Sequence, residues 1–138
     1  MFIKMGNYNS NMRKEAENWY KQALKDFDSA EKNFKIKEYY LVNFLCQQAV
    51  EKGLKAVYII QKKEIVPQTH SLIYLASELK TPKKFFSFLR QLNKEFIIAR
   101  YPDAAYGVPY EMYDKEIAKN TLNKTEEVIE WIKSQKDK

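Results

Sequence analysis

A guanidinium, a phenol ring and a carboxylate follow one another near residue 100 of this 138-residue sequence. Arg100, Tyr101 and Asp103 come directly after a strongly apolar helical pattern, which Pro102 interrupts because proline lacks a backbone N–H and disfavours helical geometry in the preceding residue. A guanidinium can bind phosphate through two hydrogen bonds, and an adjacent aromatic ring can stack on a base. The alternative is a helix end where Arg100 interacts with the helix dipole and Asp103 pairs with it.

A second group of polar residues recurs every three or four positions between residues 48 and 55. At this spacing Gln48, Glu51, Lys52 and Lys55 share one face of a helix. They are candidate nucleotide-binding residues if that face forms a polar strip inside a groove of the protein. The alternative is a solvated face on which Glu51 and Lys55 form an ion pair.

The sequence has one histidine, His70, and one cysteine, Cys46. His70 could be a base or a metal ligand, but no nucleophile or paired carboxylate is near it in sequence. We therefore expect it to pack on a neighbour at the start of a helix. Cys46 lies among apolar residues and is expected in the core. No metal-ligand spacing and no glycine-rich phosphate loop is present, so no cofactor is expected.

Apolar periodicity predicts an all-α protein, an antiparallel up-and-down bundle of four to five helices. The counts of 3 glycines and 4 prolines favour long helices over a many-stranded fold. We expect a single domain, residues 1–138, with its core at about 11–133. The predicted helices cover residues 11–35, 38–62, 71–79, 81–99 and 111–133, with a loop at 100–110. Thr69 or Ser71 is the expected cap of the third helix, Thr81 that of the fourth, and Gly53 indicates close helix packing.

Composition and charge narrow the functional classes. Hydrophobic residues make up 45% and charged residues 30% of the chain, which suits a folded globular protein. No apolar run approaches the roughly 20 residues of a membrane span, residues 1–10 lack the apolar core of a signal peptide, and one cysteine forms no internal disulfide. These features predict a cytoplasmic protein. The net charge of +6 attracts phosphate-rich partners, although scattered lysines favour a solubilising surface over a nucleic-acid surface.

Apolar residues outside the core stripes of the second and fourth helices predict a homodimer packed through those helices. An exposed patch built from such residues usually marks association. The residues concerned are Leu41, Phe44, Phe86, Phe88 and Ile98.

Four segments together resemble the HEPN domain, a family of small helical-bundle proteins. The order and spacing of the segments, between about Trp19 and Ile132, make the resemblance specific. The matching residues are Trp19, Ala23, Asp26 and Ala30, the run Gln47-Gln48-Ala49-Val50-Glu51-Lys52-Gly53-Leu54-Lys55, the segment His70-Ser71-Leu72 with Leu75, and Ala99-Arg100-Tyr101-Pro102-Asp103. The last of these matches the "aRYPD" signature of stand-alone bacterial and archaeal members.

The resemblance implies a bundle that dimerises with the polar strip and Arg100 near the dimer cleft. Family members are commonly paired with a minimal nucleotidyltransferase, in an arrangement similar to toxin and antitoxin pairs. Nucleotide binding is the role for which the family is named. The implied function is a module that binds nucleotide or nucleic-acid phosphate, with Arg100, Tyr101, Asp103 and the polar strip as the binding residues.

Two further interpretations follow from the resemblance. Many members are metal-independent endoribonucleases with a histidine four to six residues after an arginine, and no histidine follows Arg100 here. If this chain is a ribonuclease, Arg100 and His70 are its catalytic candidates, provided that folding brings them together. Partner enzymes in related pairs modify a tyrosine just after that histidine, and Tyr106 lies near the place in a different register. The remaining alternative is a purely structural, dimeric partner protein.

Overall fold

The computed structural model describes residues 9–138, which form helices and connecting loops without a strand. The α-helices are α1 (Ser10–Lys35), α2 (Tyr39–Lys62), α3 (Leu72–Ser77), α4 (Phe86–Asn93), α5 (Glu95–Ile98), α6 (Pro102–Ala105) and α7 (Lys115–Lys136). Short 3₁₀ turns cover Lys83–Phe85 and Pro109–Met112. The prediction of an all-α antiparallel bundle is confirmed.

The helix α1 forms much as its sequence predicts. Asn9 caps it, and the Asn9 side chain accepts a hydrogen bond of 3.0 Å from the backbone N–H of Met12. Ala16, Ala23 and Ala30 recur every seven residues and are buried, so this stripe of small side chains lets the long helix α2 pack closely alongside.

The helix α2 is the centre of the protein. Of its 24 residues, 14 are buried, because α1, α3 and α7 all pack against it. Cys46 lies in this core, as expected, and burial raises the pKa of its thiol to about 12. A Cβ added at Gly53 would lie 2.5 Å from Cδ1 of Ile132 on α7, so the prediction of close helix packing there is confirmed.

The prediction of one continuous fourth helix over residues 81–99 is wrong. Thr81 is not a helix cap: a 3₁₀ turn begins after Pro82. The α-helical hydrogen bonding is interrupted at Lys94 between α4 and α5, although the Lys94 backbone keeps helical angles, with φ of −71° and ψ of −23°. Directly after Lys94, Glu95 is half-buried and accepts hydrogen bonds from the hydroxyl of Tyr113 and from Nδ2 of Asn43. Burial raises the pKa of the Glu95 carboxyl.

The predicted boundaries around the last loop also need correction. The α7 helix begins at Lys115 and not at Glu111, because Asp114 caps it by accepting a hydrogen bond of 2.9 Å from the backbone of Ile117. The predicted loop 100–110 contains the short helix α6 and the start of a 3₁₀ turn. Pro102 and Pro109 occupy the first positions of these two elements, where a missing N–H costs nothing.

The apolar residues predicted to form an exposed patch are half-buried. Leu41, Phe44 and Ile98 are intermediate in exposure, while Phe86 and Phe88 pack against the core. Among the described residues, six of the ten exposed large apolar side chains lie in one later stretch of chain. These six are Ile97, Tyr101, Tyr106, Val108, Tyr110 and Met112, which we call the 97–112 surface.

In the part of the chain that the structure describes, no helix has both the length and the apolar character needed to cross a bilayer. The expectation that residues 1–10 form no signal peptide rests largely on residues 1–8, which lie outside the described residues. The cytoplasmic location stays a prediction.

Candidate functional site

A buried carboxylate on α2 is at the centre of the site. Glu51 is only 4% exposed, and three side chains from two segments surround it. Gln47 donates to its Oε1 at 3.1 Å and Lys55 donates to its Oε2 at 3.0 Å. Nδ1 of His70 lies 3.3 Å from Oε1 and 3.2 Å from Oε2. A buried charge is tolerated when such partners satisfy it.

Hydrogen bonds on both sides of His70 fix the backbone that presents it. The hydroxyl of Thr69 accepts from the backbone N–H of Ser71 at 3.0 Å, and Ser71 in turn caps α3. The side chain of Asn93, at the end of α4, accepts from the backbone N–H of Leu72 at 2.7 Å. These bonds tie the start of α3 to the end of α4 and so hold His70 beside the α5 segment.

The imidazole of His70 stacks on an aromatic ring. Its centroid lies 4.0 Å from that of Phe96, with 19° between the planes. The side chain remains 60% exposed. His70 therefore has one face on Phe96, one nitrogen on Glu51 and the rest of the ring open to a ligand.

The guanidinium of Arg100 lies against three aromatic rings. Its Cζ is 5.0 Å from the ring centroid of Phe44, 4.6 Å from that of Phe96 and 4.9 Å from that of Tyr101, which are cation–π distances. Its Nε donates to the carbonyl oxygen of Phe96 at 2.8 Å. Because a guanidinium has five N–H donors and this residue is exposed, the remaining donors can reach an oxyanion.

Phe96 joins these two residues, since the imidazole of His70 and the guanidinium of Arg100 both contact its ring. We call Glu51, His70, Phe96, Arg100 and Tyr101 the Arg100–His70 site. The role of His70 as a catalytic partner of Arg100 stays a prediction, since the two residues share the Phe96 ring as a neighbour. A shallow pocket of about 360 Å³ opens beside the site, lined by His70, Ser71, Asn93, Lys94, Phe96 and Ile97.

The predicted polar strip is divided between two environments. Glu51 and Lys55 form the i,i+4 ion pair that the alternative predicted, but the pair is buried, so the prediction of a solvated face is wrong. Lys52 instead pairs with Asp26 of α1 at 2.6 Å. Gln48 is half-buried and donates to the side-chain oxygen of Gln47 at 2.7 Å.

Asp103 does not join Arg100. Within residues 9–138 no ion pair links the two side chains, and the carboxylate of Asp103 accepts a hydrogen bond of 3.0 Å from the backbone N–H of Ala104. The predicted Arg100–Asp103 ion pair is therefore wrong, since Asp103 is exposed in the first turn of α6. Tyr106, the candidate for modification, is 95% exposed and has a left-handed backbone with φ of 56°.

Several residues of the site escaped prediction from the sequence. The predicted site does not include Gln47, Phe44 or Phe96. Trp19 matches the family without a predicted role, and its ring centroid lies 4.9 Å from Nζ of Lys55. Gln47 and Glu51 are four residues apart, as are Phe96 and Arg100. This spacing places each pair side by side on a helix, so it could have predicted both contacts.

The chemistry open to the site is recognition of an anion and of an aromatic or hydroxyl group near it. Arg100 offers hydrogen-bond donors to a phosphate, and the exposed ring of Tyr101 can stack on a base. Among the described residues, no group of three or more histidine, cysteine, aspartate or glutamate side chains is placed to hold a metal ion.

Comparison with known proteins decides the family. The family model described as HEPN domain matches residues 16–135. The chain belongs to the HEPN domain family. The predicted resemblance is therefore confirmed, and the matched residues include every member of the Arg100–His70 site.

One named relative and two solved structures are also similar to this chain. A protein of Methanocaldococcus jannaschii named "Putative toxin MJ1304" is 30% identical over 132 residues, covering 87% of each chain. The crystal structure of TT1696 from Thermus thermophilus has a TM-score of 0.81 at 25% identity and covers 88% of this chain and 98% of that one. The crystal structure of ST0689, described as an archaeal HEPN homologue, has a TM-score of 0.75 at 32% identity, with coverage of 88% and 97%.

Proposed function

We propose that this HEPN protein is a toxin-like module that binds nucleotide or nucleic-acid phosphate at Arg100 and pairs with a minimal nucleotidyltransferase. The observation that supports binding most directly is the arrangement of Arg100. Its guanidinium is exposed but fixed by three aromatic rings and by one hydrogen bond to a carbonyl oxygen. A pre-fixed guanidinium loses little conformational entropy when it binds phosphate.

The toxin-like character is supported by the HEPN family match and by the relative whose name describes a toxin. Pairing with a nucleotidyltransferase is supported by the resemblance to stand-alone family members. Tyr106 is accessible to such an enzyme, being 95% exposed, and is our proposed acceptor of the modification. A homodimer belongs to the same proposal, with Val108, Tyr110 and Met112 of the 97–112 surface as its apolar contact area.

Replacing Arg100 tests the binding proposal. Arg100→Ala should weaken binding of an RNA oligonucleotide about 10- to 100-fold, because hydrogen bonds to a charged group contribute about 1.5–3 kcal/mol. Fluorescence anisotropy at one fixed salt concentration measures the effect. Arg90→Ala is the matched control, since Arg90 is an exposed arginine on α4 that is not a member of the Arg100–His70 site, and the substitution removes the same charge. Equal titration curves for wild type and Arg100→Ala would contradict the proposal.

A second candidate function is a metal-independent endoribonuclease. The observation that favours it is that the imidazole of His70 and the guanidinium of Arg100 both contact the ring of Phe96, since such cleavage needs a base and a group that binds phosphate. Purified protein should then cleave RNA in the presence of a chelator, and Arg100→Ala should abolish the cleavage. Intact RNA after prolonged incubation would leave the binding module as the function. Retained partner binding without nucleotide affinity would instead favour the purely structural protein.

A further inference from the structure

An open pocket of about 280 Å³ lies between α2, α4, α5 and α7. None of the residues that line it is a member of the Arg100–His70 site. We call it the Glu95 pocket, and its polar lining consists of Asn43, Gln91, Lys94, Glu95, Asn120 and Thr121.

Glu95 gives this pocket a half-buried carboxylate. It accepts a hydrogen bond of 3.5 Å from Nδ2 of Asn43 and another from the hydroxyl of Tyr113. Among residues 9–138 it has no ion-pair partner, and Lys94, which also lines the pocket, is not paired with it. Burial raises the pKa of the Glu95 carboxyl, because withdrawal from water disfavours the charged form. A cation bound in the pocket would compensate this loss of hydration.

A second side chain of the pocket has an acceptor without a partner. Asn43 is only 3% exposed, and its Oδ1 accepts no hydrogen bond from any residue that the structure describes. Most buried polar atoms of native proteins are satisfied. The last torsion of an asparagine side chain turns readily, so Oδ1 can meet a donor that enters beside Glu95.

Thr121 adds a third acceptor to the pocket. Its side chain is largely buried, and its hydroxyl already donates to the carbonyl oxygen of Ile117 at 3.0 Å. The hydroxyl oxygen therefore has its lone pairs left for a donor. The pocket thus combines one negative charge with a surplus of hydrogen-bond acceptors.

The rest of the lining is apolar and consists of Phe88, Leu92 and Ile117. A primary ammonium has three N–H donors and no acceptor, which matches the surplus of acceptors. An alkyl chain attached to that ammonium would leave water against the apolar lining. A metal ion fits less well, since no described group of three or more histidine, cysteine, aspartate or glutamate side chains could hold one.

We propose that the Glu95 pocket binds a small alkylammonium ion. Glu95 supplies the countercharge, Asn43 and Thr121 accept hydrogen bonds from the ammonium, and the carbon chain lies on the apolar lining. The pocket is separate from the phosphate site proposed at Arg100, so binding of the amine does not depend on that proposal.

Three ligands of equal chain length test the chemistry. Butylammonium is the probe, and 1-butanol and butyrate are its uncharged and negatively charged counterparts. In NMR titrations of the full-length protein at neutral pH, wild type should bind butylammonium saturably and both counterparts at least about tenfold more weakly, as expected when hydrogen bonds to a charged group are lost. Equal binding of 1-butanol, or no saturable binding of butylammonium, would overturn the proposal.

Replacing the carboxylate tests the role of Glu95. Glu95→Gln keeps the size of the side chain but removes its charge, and it should weaken butylammonium binding about tenfold or more. Glu126→Gln is the matched control, because Glu126 is exposed on α7, does not line the pocket and loses the same charge. An unchanged affinity in Glu95→Gln, or an equal loss in both variants, would contradict the assignment of the countercharge to Glu95.

The same titration of wild type locates the ligand without any variant. The backbone amide signals that butylammonium shifts should be those of the pocket lining, with Glu95 and Thr121 among them. Shifts confined to other parts of the protein would refute the site even if Glu95→Gln failed to fold.

Discussion

Glu51 and Lys55 form an ion pair in a place where apolar side chains would ordinarily stabilise a helical core. Their side chains are 5% and 8% exposed, and withdrawing two charges from water commonly costs more than their attraction returns. The buried carboxylate of Glu51 has an effect on His70, because its contact with Nδ1 orients the imidazole ring. The pair is thus better explained by the function of the site than by the stability of the bundle.

Removing one member of this pair should be costly. Lys55→Met keeps the apolar stem but leaves Glu51 without its countercharge and Trp19 without its cation. We expect the free energy of unfolding to fall by about 3 kcal/mol. Urea denaturation followed by circular dichroism measures the change.

An exposed pair on α7 supplies the control for that experiment. Lys133 and Glu130 lie 3.2 Å apart with side chains 46% and 63% exposed. Lys133→Met should therefore cost at most about 1 kcal/mol. If Lys55→Met and Lys133→Met lower the free energy of unfolding equally, burial does not make the Glu51–Lys55 pair more important for stability than an exposed pair.

The sequence predicted which residues belong to the site better than it predicted which of them contact one another. The choice of Arg100, His70 and Glu51 needed only their types and spacing. The contact between Glu51 and His70 has no local signal, because 19 positions separate them and only the packing of α3 against α2 brings them together. The predicted partner of Arg100, Asp103, was wrong because α6 begins at Pro102 and turns that carboxylate to solvent.

Among the helices, the close approach of α2 and α7 is the feature most sensitive to a single atom. Gly53→Ala would place a Cβ 2.5 Å from Cδ1 of Ile132, a fully buried side chain. Alanine favours a helix by about 1 kcal/mol over glycine, yet overpacking typically costs about 1–3 kcal/mol. We expect a net loss in the free energy of unfolding, measured by thermal and urea denaturation.

A second substitution tests whether the clash is the cause. Ile132→Val removes the Cδ1 atom, costs about 1 kcal/mol alone, and should be less damaging, or even neutral, when Gly53→Ala is already present. Gly107→Ala is the control, because the nearest atom to its Cβ would be Sδ of Met112 at 3.8 Å. Strictly additive losses in the double variant would contradict the packing explanation.

The long helices were predictable because their apolar stripes are regular, and α1, α2 and most of α7 match the expected ranges. The segment between α3 and α7 was not, since its boundaries depend on long-range hydrogen bonds. Glu95 bonds to Asn43 and Tyr113, residues distant in sequence, and the break at Lys94 lies beside it. Periodicity alone favours one continuous helix there.

The exposed apolar side chains are distributed unevenly along the chain, and most of them lie between residues 97 and 112. Most of α2 is covered within the protomer, and Phe86 and Phe88 are half-buried against the core. The predicted contact through the second and fourth helices therefore has only partly exposed apolar side chains available. The 97–112 surface offers more, and it includes Tyr101 of the Arg100–His70 site. A dimer formed through this surface would place two such sites near one interface.

Sedimentation velocity at micromolar concentration tests this arrangement. Wild type should sediment as a dimer, and Tyr110→Glu should shift it toward monomer, because a charge would then be buried against apolar side chains. Tyr110 is 61% exposed and Ile65, outside this surface, is 62% exposed, so Ile65→Glu controls for the added charge and should leave the dimer intact. A wild-type protein that stays monomeric would refute the homodimer, whereas dissociation by Ile65→Glu and not by Tyr110→Glu would move the contact to another face of the bundle.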